Sequence, residues 1–262
     1  MSRDSLVTLN DPRSTAAEAF RTLRTNLTFS GLEKPLTTLL VTSASMDGDS
    51  AAKSEVIANL AVTFAQGGRK TILVDCDLRR PAQHALWGLA NDRGLSNFVL
   101  EGGDPPLAAV GVDGLQVLPA GPLPPIPADL ISAKKMDEAI AVLKSQADIV
   151  LFDAPPVIAV TDAALLATKL DGVLLVLNAG HTRRDQGPHS GRFVHRPDVD
   201  CDAGVAKRTN RLSGQATRIA KFLRIESDGV RAERAAGVIR VRGEIAAVAG
   251  RIGERRGDQH AG

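Results

Sequence analysis

The chain has 262 residues, 44% of them hydrophobic but only 3% aromatic, with seven Phe, one Trp and no Tyr. Its core must be aliphatic, and the length suits one large α/β domain or two small ones. Two cysteines exclude a disulfide scaffold, no apolar run reaches the about 18 residues of a membrane span, and the polar start MSRDSLVTLNDPRS does not read as a secretory signal. The net charge of +2 hides an asymmetry. Residues 1–186 carry 17 Lys+Arg against 21 Asp+Glu, while residues 187–262 carry 15 against 9. Leucine falls from 28 to 2 across the same break near Gln186.

Residues 14–29 predict an amphipathic helix, with Ser14 or Thr15 as its cap and Phe20, Leu23 and Leu27 on one face. Lys34-Pro35 ends that segment, and 36–45 predicts a strand. A polar loop follows, then a helix over 53–66 that Gly67-Gly68 stops. Strands are predicted at 70–75, 115–121, 147–153 and 171–178, with helices at 136–146 and 161–170. Strands that are apolar throughout and alternate with helices indicate a doubly wound, mostly parallel sheet covered on both faces. Ligands bind such sheets at the carboxyl ends of the strands, where this chain places Asp75, Asp77 and Asp153.

A strand, a small-residue loop and Lys-Ser opening a helix describe a P-loop, whose backbone N–H groups and helix N-terminus attract phosphate. Lys53 is placed to reach phosphate oxygens and Ser54 to ligate Mg²⁺. The pattern G-x-x-x-x-G-K-[ST] is not met. Ala52 stands where Gly precedes the Lys, and Gly48 is the only glycine of the loop. The segment Gly48-Asp49-Ser50 is an alternative occupant of the G-K-S place, one that removes the Lys. Three carboxylates at strand ends are costly without a cation. With the loop beside them, they point to a Mg-nucleotide site rather than to surface carboxylates. Arg79 and Arg80 suit either phosphates or solvent, His84 reads as an ordinary polar residue, and Cys76 is expected in the core.

Taken in order, TSAS…KSEVIANLA, ILVDCDLRRP, GLSNFVLEG, LPAGPLPPIPADLI, IVLFDAPPVIAVTDA and DGVLLVLNAGHTRRDQ resemble the cytoplasmic domain of bacterial tyrosine kinases of capsule and exopolysaccharide synthesis. Those kinases belong with the MinD/ParA-type P-loop ATPases. The resemblance covers about residues 14–186. It implies an ATP-dependent, Mg²⁺-requiring protein-tyrosine kinase. In it Gly48, Asp49, Ser50, Ala51, Ala52, Lys53, Ser54 and Glu55 would cradle the nucleotide, and Ser54, Asp75 and Asp153 would hold the metal. Lys53, Asp75 and Asp77 would serve phosphoryl transfer. It also implies homo-oligomerisation through Glu18, Arg21 and Arg24, tyrosine acceptors on other chains, and a membrane polysaccharide co-polymerase or chain-length adaptor as partner. The expected location is cytoplasmic, against the inner face of the plasma membrane.

The domain reading is an N-terminal oligomerisation segment (1–35), a P-loop kinase domain (36–186) and an atypical basic tail (187–262). The tail leaves the family pattern abruptly, as a frame change in the coding sequence would make it do. Its segments 215–225 and 230–255 read as isolated helices. Interspersed acids and only two aromatics, Phe193 and Phe222, disfavour nucleic acid as its partner. Two other classes stand beside the kinase reading: a MinD/ParA-like ATPase without kinase activity, and a non-catalytic remnant with a defective loop.

Overall fold

The computed structural model describes residues 3–30, 35–43, 49–157, 159–179, 216–226, 229–231 and 240–241; at 49–52 and from 177 onward only the backbone is described. A 3-10 turn (Arg3–Ser5) leads into α1 (Val7–Asn10) and α2 (Thr15–Ser30), then β1 (Thr38–Ser43), α3 (Asp49–Gln66) and β2 (Thr71–Asp75). Next come α4 (Gln83–Trp87), α5 (Leu95–Glu101), β3 (Ala108–Ala109), β4 (Leu115–Leu118), α6 (Pro127–Ser132) and α7 (Lys134–Gln146). The order closes with β5 (Ile149–Asp153), α8 (Asp162–Ala167), β6 (Gly172–Ala179), β7 (Ala216–Glu226), β8 (Gly229–Arg231) and β9 (Arg240–Val241).

The sheet runs β3-β4-β2-β5-β1-β6-β7-β8, with β9 also on β7. Its inner five strands, β4-β2-β5-β1-β6, are parallel, and β3 and β7 join antiparallel at either side. Every residue of β1, β2 and β5 is buried, as the unbroken apolar runs demand. Successive side chains along a strand face opposite layers. Leu39, Val41, Leu73 and Leu151 therefore join one core with α2 and α3, while Leu40, Ile72, Val74, Val150 and Phe152 join another with α5, α7 and α8.

The first layer is built by α2 laying Phe20, Leu23 and Leu27 on α3, which answers with Leu60 and Phe64. Ser14, not Thr15, caps α2: its Oγ accepts from Ala17 N at 3.2 Å. Polar ties fix the same helices. Asn59 Oδ1 of α3 accepts from Thr8 N and Oγ1 of α1, and Arg24 Nη1 donates to Thr63 O near the end of α3.

At the amino ends of the strands, Asp171 Oδ2 accepts from the backbone N and the Oγ1 of both Thr37 and Thr38, at 2.7–3.2 Å. This one carboxylate joins the start of β6 to the start of β1. On the other side of the sheet, Gly94 begins α5 directly under the turn that follows β4. A Cβ there would lie 2.2 Å from Pro119 O, so only glycine fits.

Two expectations change. The helix predicted from 53 starts at Asp49, because Ala51 and Ala52 extend it where a P-loop would carry Gly. Residues 216–226 form a strand paired with β6, not an isolated helix, and short strands occur within 230–255. β6 would otherwise be an unpaired edge, and the run ATRIAKFLRIE holds Thr217, Ile219, Leu223 and Ile225 at period-2 spacing. The tail from 187 to 215 lies outside the described residues. Among the described residues no helix is long and apolar enough to cross a membrane.

Candidate functional site

Parallel pairing places Asp75, the last residue of β2, directly beside Asp153, the last residue of β5. Both are fully buried, and Asp77 is nearly so. Two like charges on adjacent strands in low dielectric cannot both ionise freely. Burial, then Asp153, pushes the Asp75 carboxyl up to about 8. Burial also raises Asp77, against the opposing pull of Lys53.

Lys53 enters this cluster from α3 and is itself fully buried. Its Nζ donates to Ala154 O and lies 2.6 Å from Asp153 Oδ1 and 3.6 Å from Asp77 Oδ2. Burial alone would lower its pKa, but Asp153, Asp77 and Asp75 outweigh it and hold the ammonium above its ordinary value. One cation thus faces three carboxyls. Among the described contacts, the Lys53 ammonium is the partner of Asp153 Oδ1.

Asp75 has a second task. Its Oδ1 accepts from Asp77 N, and its Oδ2 accepts from Ala82 N and Gln83 N, at 2.9–3.2 Å. One side chain thereby folds the whole 77–83 turn back onto the end of β2. Arg79, in that turn, is held by Asp162 at the start of α8 in a bidentate pair of 2.8 and 3.1 Å. Its charge is committed to Asp162, which also raises its pKa through that hydrogen bond. Arg80 is exposed, and among the described contacts only its backbone is engaged, with Asp77. Cys76 is buried in the second core, where burial pushes its thiol up.

Gln83 is the residue that sequence reasoning missed. It is fully buried, and its Nε2 donates to Asp153 Oδ2 at 2.7 Å and to Ser54 O at 3.0 Å. Its Oε1 accepts from Trp87 Nε1 at 3.2 Å. A glutamine one turn before a tryptophan has no signature of its own. Only the fold reveals that β2, β5, α3 and α4 meet there.

The predicted site residues divide clearly. Lys53, Asp75, Asp77 and Asp153 converge, and Ser54 is buried beside them on α3. Glu55 is half-buried, its carbonyl accepting from Asn59. Gly48 lies outside the described residues, and of Asp49, Ser50, Ala51 and Ala52 only the helical backbone is described. Lys53 is therefore the fifth residue of its helix, one turn in from the N-terminus. On α2, Glu18 pairs with Arg21 at 2.7 Å, and Arg21 also donates to Pro12 O. Arg24 is spent on Thr63.

Mg²⁺ suits this donor set. The groups are hard oxygens, their charge exceeds that of Lys53, and Asp153 Oδ1 is buried and already faces a cation, the Lys53 ammonium. Among the described residues no three side chains form an all-protein metal cage. Mg²⁺ does not need one, since it takes one or two carboxylates and completes its shell with phosphate and water.

No protein-family model matches the chain. It is 38% identical over 184 residues to the tyrosine-protein kinase YwqD of Bacillus subtilis, covering 70% of this chain and 76% of that one. It is 37% identical to the putative tyrosine-protein kinase CapB of Staphylococcus aureus, covering 67% and 76%. Against the tyrosine-protein kinase Wzc of Salmonella typhi it is 34% identical and covers 24% of that longer chain. Among solved structures, the chimerical protein CapA2B2 superposes with a TM-score of 0.69 at 33% identity, covering 73% of this chain and 84% of that one. The kinase domain of the Escherichia coli tyrosine kinase Etk gives 0.67 at 30% identity, covering 72% and 74%.

Proposed function

The chain belongs to the bacterial tyrosine-protein kinases, and from that premise we propose that it binds Mg-ATP at the carboxyl ends of β2 and β5 and passes the γ-phosphoryl group to tyrosine on another chain. The observation that carries this reading is the single buried Lys53 facing Asp75, Asp77 and Asp153. Phosphoryl transfer asks a protein for positioning and charge neutralisation more than for covalent chemistry. A lysine and a cluster of hard oxygens supply both.

The roles follow from the geometry. Lys53 leaves Ala154 O and Asp153 to meet phosphate oxygens, exchanging one set of anionic partners for another. Ser54, Asp75 and Asp153 would hold Mg²⁺, which when bound would supply positive charge to the terminal phosphates. With Asp75 given to the metal, Asp77 would accept the tyrosine hydroxyl proton. By the same membership we propose a role in capsule or exopolysaccharide assembly beside a membrane co-polymerase, and self-association through the exposed edge of α2 at Glu18 and Arg21. Arg24 contributes to that surface only as far as its bond to Thr63 allows.

One observation favours a second reading, an inert remnant. The α3 backbone starts a full turn before Lys53, and Ala52 carries a Cβ where close approach to phosphate calls for Gly. Calorimetry with Mg-ATP separates the two. Wild type should bind, and Lys53→Ala should lose at least about 1.4 kcal/mol, a factor of ten. Because the substitution also strands buried carboxylates, at a cost of about 3–5 kcal/mol in stability, binding is measured below the melting range of both proteins. Absence of Mg-ATP binding by wild type ends the enzyme readings. Binding without phosphotyrosine on an added tyrosine-containing polypeptide leaves an ATPase.

A further inference from the structure

Trp87, Gln83 and Asp153 form a continuous line of hydrogen bonds that runs from the back of α4 to the carboxylate at the end of β5. We propose that Trp87 and Gln83 are positioning residues for metal binding: they lock the Asp153 carboxylate so that Oδ1 faces the cation. This deepens the Mg-nucleotide reading above and rests on it.

The chemistry of the three groups fixes the direction. An indole N–H is a donor only, so the Gln83 atom that meets it must be the amide oxygen. With Oε1 held by Trp87, the amide nitrogen is turned the other way. Its two N–H groups then go to Ser54 O and Asp153 Oδ2. A carboxylate bonded through Oδ2 cannot rotate freely, and Oδ1 is left facing Lys53. The same amide joins β5 to the backbone of Ser54, so two of the groups proposed to ligate the metal are referenced to one side chain. Gln83 and its partners are almost wholly out of water, where such a network is held more firmly than at a surface.

Two features separate this from simple core filling. Gln83 is polar and fully buried in a place where Leu or Met would pack with less desolvation. Its backbone N–H is already used on Asp75, so the side chain is not needed to cap α4. What the amide adds is orientation of Asp153. Groups that orient a metal ligand from behind are worth roughly 10–100-fold in metal affinity.

The test uses the whole chain, Mg²⁺ and ADP, with two readouts. Trp87 is the only tryptophan, so its emission reports on this line alone. In wild type, Mg-ADP should change that emission, and calorimetry at a series of Mg²⁺ concentrations gives the concentration for half-maximal ADP binding. Gln83→Met keeps the volume and removes the hydrogen bonds. It should raise that Mg²⁺ requirement roughly tenfold and abolish the emission change. Trp87→Phe keeps a ring, frees the amide to turn, and should raise the requirement by a smaller factor in calorimetry. Both variants are checked for folding by circular dichroism. A folded Gln83→Met that needs no more Mg²⁺ than wild type overturns the relay while leaving the nucleotide site intact. Failure of wild type to bind Mg-ADP at any Mg²⁺ concentration overturns the site reading and the relay with it.

Discussion

At Asp75 the chain keeps a carboxyl that would rather be protonated. It lies beside Asp153 out of water, with its pKa at about 8 instead of the 3.8 of a free side chain. Between those two values the native state holds a proton that the unfolded state has released. Stability therefore falls as pH rises through that window. Asp75→Asn removes the effect. Its profile should be flatter than that of wild type from about pH 5 to 9 in thermal scans without nucleotide, although one amide oxygen replaces the two carboxyl oxygens that accept three backbone N–H groups. Parallel profiles for the two proteins would show that Asp75 is not the responsible group. The same substitution should lower phosphoryl transfer, because an amide lacks the negative charge that would help hold Mg²⁺. The meeting of Asp75, Asp77 and Asp153 was legible in the sequence, since three carboxylates at the ends of parallel strands fall at one edge of the sheet, and Lys53 was legible from its place after the loop that follows β1. Gln83 was not, because a neutral residue in a short helix acquires its role only when four elements meet around it. Arg79 was left open between phosphate and solvent, and only the position of Asp162, 83 residues on, decides it.

At the scale of elements, α2 was legible as a helix but not as a part of the core. Its apolar face is inseparable from α3: Phe20 and Leu27 are buried with Leu60 and Phe64, and Arg24 reaches Thr63. Burying a large apolar side chain is worth about 1.5–3 kcal/mol, and α2 contributes three. A chain beginning at Gly31 should therefore lose cooperative melting and bind an apolar dye, rather than fold as a domain that has shed an appendage. A sharp transition in that shortened protein would mark residues 1–30 as a separable arm. The helix that follows β1 was legible too, except for its start. Its extension to Asp49 follows from two alanines, the residues least able to resist helix. The strand at 216–226 was hidden because its partner, the free edge of β6, exists only after the sheet has formed.

In the whole molecule, an aliphatic chain poor in aromatics closes two apolar layers on one parallel sheet, and the repeating alternation of strand and helix made that architecture readable in advance. The two ends of the sheet are built on opposite terms. At the carboxyl ends, anionic groups crowd one another. At the amino ends, Asp171 gathers four donors from Thr37 and Thr38. Burial would raise its pKa, yet those hydrogen bonds hold it below the usual carboxylate range. A sheet fastened at one end and self-repelling at the other has a built-in direction of breathing. The expected course of transient opening is from the nucleotide end toward the Asp171 latch. Amide exchange at neutral pH should accordingly be slower at Thr38 than at Cys76, although both amides are buried, and saturating Mg-nucleotide should slow Cys76 far more than Thr38. Ligand would then act on this protein less as a weight added to a rigid cleft than as a second clasp, beside Lys53, on the crowded end of the sheet.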